Sequence, residues 1–262
     1  MSKLSKENKF LDVSDYGRPI ATFCANILKN TTATPVQVTL VFGVCGLIAV
    51  YCITNHYYVL AGILLILKSI IDAIDGELSR LKKTPSYTGR YLDSVFDIIL
   101  NFVFLMAICY VSQATIWLTL IAFMCIQLQG TLYNYYYVIL RNRSEGSDTT
   151  SQIFETKTPE ALPGESQKTV DILFKSFCFL YGIFDHTIYL LDQDACKMRT
   201  FPNWFMTLVS FYGLGFQLLI IALMLAFNLV DAIVPFFIFY SGFIFAFIGI
   251  RRMILAPEFV VA

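Results

Sequence analysis

The sequence predicts an all-α, multi-pass membrane bundle of six transmembrane helices, with an N-terminal interfacial helix and a cytoplasmic helix between the fourth and fifth spans. Three observations lead to this fold class. The 262-residue chain is 57% hydrophobic and 15% charged, whereas soluble domains are about 45–50% apolar and about 25% charged. Its apolar residues form runs near the roughly 20 residues that a helix needs to cross a bilayer. Its Lys and Arg residues fall almost entirely on one side of those runs.

Residues 1–33 form a mixed segment ahead of the first apolar run. Ile20, Phe23, Ile27 and Leu28 fall on one side of a short helix, and this pattern favours an amphipathic helix in the membrane interface. A frayed tail is the alternative interpretation. The segment lacks the apolar stretch of a secretory signal peptide.

The membrane domain is predicted to cover residues 34–262. Its joins are short enough that neighbouring spans must be antiparallel. Polar sequence at 142–203 predicts a cytoplasmic insertion, to which the sequence assigns no role. Within this insertion, residues 169–192 could be either a seventh span or an interfacial or cytoplasmic helix. The predicted spans lie at about 35–54, 58–80, 90–111, 115–140, 204–228 and 232–253.

The distribution of Lys and Arg decides whether residues 169–192 are a seventh span or an interfacial or cytoplasmic helix. With six spans and the N-terminus inside, all 19 Lys and Arg residues except Lys68 fall on the inside face or at its border, as the positive-inside rule requires. A seventh span would put Arg251 and Arg252 outside. We therefore expect both termini in the cytoplasm, and either a bacterial cytoplasmic membrane or the endoplasmic reticulum fits. The formal net charge of zero gives no sign of nucleic-acid binding.

Four aspartates stand at regular intervals in otherwise apolar sequence. Asp72 and Asp75 lie at the inside end of the second span, and Asp93 and Asp97 at the inside start of the third. Spacings of three and four residues put each pair on one helix face, and the hairpin at 81–89 brings the two faces together. Carboxylates in an apolar setting need positive partners. All-oxygen ligands favour Mg²⁺ or Mn²⁺, and two such ions would balance the four charges.

Three further residues in this stretch suit a phosphate ligand. Arg80 can supply a planar fork of donors, while Gly76 and Gly89 let a ligand approach the backbone closely. These residues indicate phosphoryl transfer. Aspartates in spans also serve cation transporters and channels, so the residue types alone leave an enzyme and a transporter open.

The spacing resembles the signature of the CDP-alcohol phosphotransferase family, which reads DxxDGxx(A/S)R, eight residues, then GxxxDxxxD. Ser79 stands where that family usually has alanine. A weaker resemblance to the family's TPN-type opening starts at Thr34, with Val36 in place of the usual asparagine. The signature positions in this chain are Asp72, Asp75, Gly76, Arg80, Gly89, Asp93 and Asp97.

The resemblance implies a reaction in phospholipid biosynthesis. A CDP-linked donor, with CDP-diacylglycerol favoured, would meet an alcohol acceptor, and a phosphodiester would form as CMP leaves. The four aspartates would bind metal, and Asp97 would also be the general base. Thr39, Gly76, Arg80 and Gly89 would bind the CDP group. A homodimer with spans three and four in contact is implied as well.

The motif does not identify the acceptor alcohol. Gln127 and Thr131 also make the fourth span polar. Ordinary interhelical hydrogen bonds explain such amides and hydroxyls equally well, and membrane anchoring explains arginines at span ends. The candidates for acceptor or phosphate contacts are Lys68, Asn101, Gln129, Asn134, Arg141 and Arg252.

Overall fold

The computed structural model describes residues 9–143, 154–198 and 200–255, and every regular element in these ranges is helical. The all-α prediction is therefore confirmed. Short 3-10 turns lie at Val13–Asp15, Gln193–Lys197 and Ser210–Tyr212. The α-helices are α1 (Arg18–Leu28), α2 (Pro35–Thr54), α3 (Tyr58–Lys82), α4 (Tyr87–Ser112), α5 (Ile116–Arg143), α6 (Gln167–Leu191), α7 (Asn203–Val209), α8 (Leu214–Ala226), α9 (Val230–Tyr240) and α10 (Phe243–Leu255).

Several of these helices can cross a membrane. In the described ranges, α2, α4, most of α5 and the stretch Val230–Met253 are long and apolar enough, and the pair Asn203–Tyr212 and Leu214–Ala226, bent by 51°, adds a fifth candidate. Helix α3 has 25 residues but carries Lys68, Asp72 and Asp75. Helix α6 is not among the candidates. The structure thus gives four or five spans by length and composition, and the predicted number of six is not established.

Helix α3 packs against three other helices. It packs against α1, α2 and α8, while α2 also packs against α4. Glycines allow these close approaches: a Cβ at Gly46 of α2 would lie 2.8 Å from the Leu100 side chain of α4, and one at Gly62 of α3 would lie 2.8 Å from the Ala222 carbonyl oxygen of α8. The two helices that carry the aspartates are therefore both packed against α2.

Short sequence signals mark where the helices next to the aspartates begin and end. Thr34 caps α2 in a reciprocal capping box with Gln37, and Pro35 occupies the first helical turn. Lys83, with φ of 53°, ends α3. The hydroxyl of Ser86 then accepts a 2.8 Å hydrogen bond from the Gly89 N–H at the start of α4. Only residues 83–86 separate the two helices, which aligns their aspartates side by side.

The N-terminal segment is folded onto the bundle. Helix α1 buries Ala21 and Ala25 against α3 and exposes Ile20, Phe23 and Ile27, which is the distribution predicted for an interfacial helix. The preceding 3-10 turn presses Ser14 against the backbone at the start of α8. The chain ends, residues 1–8 and 256–262, whose cytoplasmic placement is predicted above, lie outside the described residues.

The end of α6 is anchored by a buried ion pair. Asp192 is fully buried and pairs with the guanidinium of Arg251 in α10. The same carboxylate accepts a 2.8 Å hydrogen bond from the Tyr136 hydroxyl of α5. Along its length, α6 packs against α4 and α5. The helix predicted at 169–192 is thus present as Gln167–Leu191 and forms part of the bundle.

We predict that Gly62→Ala lowers the thermal stability of the detergent-solubilised protein. The new Cβ would lie 2.8 Å from a backbone oxygen of α8, and overpacking of this kind costs about 1–3 kcal/mol. Gly182→Ala in α6 is the matched control, because among the described residues outside its own helical turn no heavy atom lies within 4 Å of its new Cβ. Alanine should leave that helix unchanged or slightly more stable. Equal melting temperatures for the two variants would contradict the close α3–α8 contact.

Candidate active site

A cavity of about 760 Å³ lies among α3, α4, α5 and α6. Its walls also include α8, the N-terminal 3-10 turn and residues of the insertion. This volume is within the range of small-molecule sites, about 300–1,000 Å³. All four aspartates of the motif line it, together with Thr39, Gly76, Arg80 and Gly89.

Three of the aspartates form a compact group. Asp72, Asp75 and Asp93 can each offer one carboxylate oxygen such that all three oxygens lie within 4.8 Å of one another. Asp75 is oriented by the Thr39 hydroxyl, which donates a 2.6 Å hydrogen bond to it. Asp93 Oδ1 is buried and has no hydrogen-bond partner among the described residues. A partly buried, all-oxygen donor set with an unused ligand atom fits Mg²⁺ or Mn²⁺.

The fourth aspartate has a cationic partner from the protein itself. Lys68 is fully buried one turn before Asp72, and its Nζ contacts the Asp97 carboxylate. The same Nζ lies 3.9 Å from Asp72 Oδ2 and 4.6 Å from the ring centroid of Phe42. Lys68 thus neutralises part of the charge from the side of the cluster that faces away from the cavity.

The phosphate-binding candidates lie at the cavity wall as expected. Arg80 donates a 2.7 Å hydrogen bond to Glu77, while its Nε has no partner among the described residues. Apart from its own helix backbone, a Cβ on Gly76 would meet only the Arg80 guanidinium among the described residues, at 3.5 and 3.8 Å. The absence of a side chain at Gly76 therefore keeps cavity space open beside a guanidinium that can bind a phosphate.

The insertion reaches back to the start of α4. Glu165 accepts hydrogen bonds of 2.7 Å from the Ser86 hydroxyl and the Thr88 N–H. Burial acts to raise the pKa of Glu165, but these hydrogen bonds outweigh it and hold the pKa below its ordinary value. Glu155 pairs with Arg90 and accepts a 2.7 Å hydrogen bond from the Tyr91 hydroxyl. Two acidic residues of the insertion thus fix the first turn of the motif's second helix.

Helix α6 supplies another wall. Phe177, Tyr181 and Asp185 line the cavity, and the Tyr181 hydroxyl donates a 2.9 Å hydrogen bond to the Ser94 carbonyl oxygen. Burial raises the pKa of Asp185 to about 7. Phe177, Tyr181 and Asp185 follow one another at intervals of four residues and therefore share one helix face. This spacing is a signal in the sequence that could have identified them. For Glu155 and Glu165 the sequence offers no such signal, because both precede the helix in irregular chain.

The residues suggested for the acceptor divide into two sets. Asn101, Asn134 and Arg141 line the cavity. The other three are not among its lining residues and bind protein partners instead: Lys68 pairs with Asp97, Gln129 donates to the Phe237 carbonyl and Ser241, and Arg252 donates to the Leu191 carbonyl. For Gln129 and Arg252, the alternative interpretations of helix packing and anchoring match these contacts.

Comparison with known proteins identifies relatives over the same region. A family model described as CDP-alcohol phosphatidyltransferase matches residues 32–163, half of the chain. A bifunctional IPC transferase and DIPP synthase of Thermococcus kodakarensis is 38% identical over 95 residues, which is 36% of this chain and 22% of the relative. One of Archaeoglobus fulgidus with the same name is 33% identical over 102 residues, or 38% and 20% of the two chains. The matched segment thus spans about a fifth of these curated relatives.

We predict that Lys68→Met strongly destabilises the protein. Removing one member of a buried ion pair leaves an uncompensated charge, at a cost of about 3–5 kcal/mol. The double variant Lys68→Met/Asp97→Asn should recover most of this loss, because the partner charge is removed as well. Thermal unfolding of the two single variants and the double variant in detergent measures the coupling. Strictly additive losses would show that the pair contributes nothing.

Proposed function

The chain belongs to the CDP-alcohol phosphatidyltransferase family, and we propose that it transfers a phosphatidyl or phospho-alcohol group from a CDP-linked donor to an alcohol acceptor. The observation that carries this proposal is the group of three carboxylates, Asp72, Asp75 and Asp93, whose oxygens come within 4.8 Å at a cavity wall. The same wall presents Arg80 and the open position at Gly76. Phosphoryl transfer needs a cation-binding group beside a phosphate-binding group.

The proposed reaction exchanges one phosphorus–oxygen bond for another. The acceptor hydroxyl forms a bond to the β-phosphorus of the donor, the bond from that phosphorus to the oxygen bridging to the α-phosphate breaks, and CMP leaves with that oxygen. The hydroxyl proton goes to a carboxylate, and Asp97 is the proposed acceptor because it lines the cavity beside the group of three. Arg80 binds phosphate oxygens, and Thr39 orients Asp75.

We propose that two Mg²⁺ or Mn²⁺ ions are bound at Asp72, Asp75 and Asp93, with Asp97 completing the donor set. When bound, such ions offset negative charge on the phosphate oxygens and on the attacking and leaving oxygens. Lys68 limits the repulsion among the four carboxylates while leaving the oxygens of the group of three available.

The donor proposed first is CDP-diacylglycerol. A chain whose helices are long and apolar enough to cross a bilayer meets a lipid-linked substrate in the plane of the membrane. We also propose that the cavity faces the cytoplasm, on the basis of the positive-inside pattern. The homodimer through α4 and α5 stays a prediction.

The decisive experiment measures CMP release by the purified protein in lipid nanodiscs, with Mg²⁺ or Mn²⁺ and CDP-diacylglycerol, across a panel of alcohols. Release should need both an acceptor and the divalent ion, and chelation should abolish it. Asp93→Asn should abolish it without loss of folding, because it removes a charge from a repelling group. Asp97→Asn should abolish release as well, because it removes the proposed base, but it also leaves Lys68 without its closest partner and should lower the melting temperature. Cation flux in liposomes with no CMP release from any donor would favour a transporter.

A second prediction concerns Gly76→Ala. The new methyl group would fill cavity space beside Arg80 but would meet no backbone atom within 4 Å outside its own helical turn. The melting temperature should therefore stay near that of the wild type, while a phosphate displaced by about 1 Å should lower the rate of CMP release by about 100-fold. Activity equal to the wild type would remove Gly76 from the proposed donor site.

A further inference from the structure

The cavity continues beyond the aspartates into the apolar part of the bundle. Asn101 lies one turn past Asp97 on α4, about 6 Å deeper at 1.5 Å per residue, and lines the cavity. From the other side, Gln127 and Thr131 of α5 and Gln217 of α8 line it as well. Gln127 is 14 positions from Arg141, or about 21 Å along α5. We refer to Asn101, Gln127, Thr131 and Gln217 as the deep amide site.

The donors and acceptors of this site are largely unused by the protein. Gln127 is 6% exposed, and its Nε2 has no hydrogen-bond partner among the described residues. Asn101 at 9% and Thr131 at 6% exposure make no side-chain hydrogen bond within the described ranges. A buried polar group without a partner costs about 1–3 kcal/mol. Gln127 Nε2 is such a group, and Asn101 and Thr131 line the same cavity beside it, which points to a ligand that contacts all three.

A neighbouring glutamine shows what a structural amide looks like in the same helix. Gln129 is fully buried, donates to the Phe237 carbonyl and the Ser241 hydroxyl, and accepts a 3.1 Å hydrogen bond from Gln217. Gln217 also donates to the Ile126 carbonyl. The polar face of α5 therefore divides into Gln129, which joins helices, and Gln127 with Thr131, which face the cavity.

The charge of the lining residues defines the class of ligand. The deep amide site and its neighbours Ile126 and Leu214 carry no charge. The cavity's cations, among them Arg80, Lys83, Arg90 and Arg141, belong to the hairpin end of the helices. Neutral amides and hydroxyls donate and accept at once, so they suit hydroxyl groups, which also do both. An anionic group would be left without a counter-charge there.

We propose that the deep amide site binds the hydroxyl groups of a polyhydroxylated acceptor, so that the acceptor of this enzyme is a polyol, bare or phosphorylated. This inference rests on the function proposed above. The attacking hydroxyl lies at Asp97, and further hydroxyls of the same molecule reach Asn101, Gln127 and Thr131 one turn deeper. An acceptor phosphate, where present, points back toward Arg141.

The competing class is an amino alcohol. Asp185 lines the cavity with Phe177 and Tyr181, and a carboxylate beside aromatic rings suits a cation. That wall belongs to α6, however, and offers one charged group, whereas the deep amide site offers several unpartnered neutral ones. The two classes are separated by a panel of acceptors.

The test measures CMP release with CDP-diacylglycerol and each of myo-inositol, inositol phosphate, glycerol, glycerol phosphate, serine, ethanolamine and choline, and with CDP-choline and diacylglycerol. Release should require a polyol. Gln127→Leu and Thr131→Val should each raise the KM for the polyol about 10-fold, which is the effect of one lost hydrogen bond, and should leave the KM for the donor unchanged. Thr119→Val is the matched control: Thr119 is a buried threonine of α5 whose hydroxyl, within the described part of the chain, bonds only to the Thr115 carbonyl.

The outcomes are distinct. Release with an amino alcohol, or with CDP-choline and diacylglycerol, would overturn the polyol assignment and leave the transferase function standing. An unchanged acceptor KM in folded Gln127→Leu and Thr131→Val proteins would also overturn it, because the deep amide site would then hold water only. If Gln127→Leu fails to fold, Gln127→Asn and Thr131→Val decide. No CMP from any donor and acceptor would remove the proposed function and this inference together.

Discussion

The constraint on which this structure depends is the partial burial of four carboxylates among apolar helices. Their mutual repulsion and loss of hydration oppose folding unless positive charge stands close by. Lys68 provides part of that charge from within α3, one helical turn before Asp72. The group of three that remains faces the cavity with oxygens close enough to share a cation. A single lysine thereby sets Asp97, which it contacts directly, apart from the group of three.

The surrounding elements hold these two helices in register. Ser86 and Glu165 together engage the first N–H groups of α4, and Thr39 reaches from α2 to Asp75. On the opposite side, the N-terminal turn presses on the start of α8. Segments far apart in the sequence thus converge on one 26-residue stretch, and the insertion acts as a wall of the site.

Much of the fold followed from the sequence because its signals are local. A long apolar run located α2 at 35–54, the limits that it has in the structure, and fixed spacing identified the aspartates. Other features depend on packing and could not be read in advance. Lys68 pairs with Asp97 because of how α3 packs against α4. The break between the two helical segments at Gly213 depends on the N-terminal 3-10 turn that packs against it. Gln127 and Gln129 are both polar residues of one helix, and only the rotation of α5 shows which amide meets a neighbouring helix and which meets the cavity.

The cap supplied by Glu165 bears on the order in which the protein is made. The aspartate hairpin leaves the ribosome complete at Asp97, yet the residue that binds the N–H groups of Tyr87 and Thr88 is synthesised almost 70 positions later. Until then the start of α4 has only Ser86 as its cap. Maturation of the site therefore belongs to a late stage of biogenesis, after α5 has been made and the insertion has folded back over the hairpin.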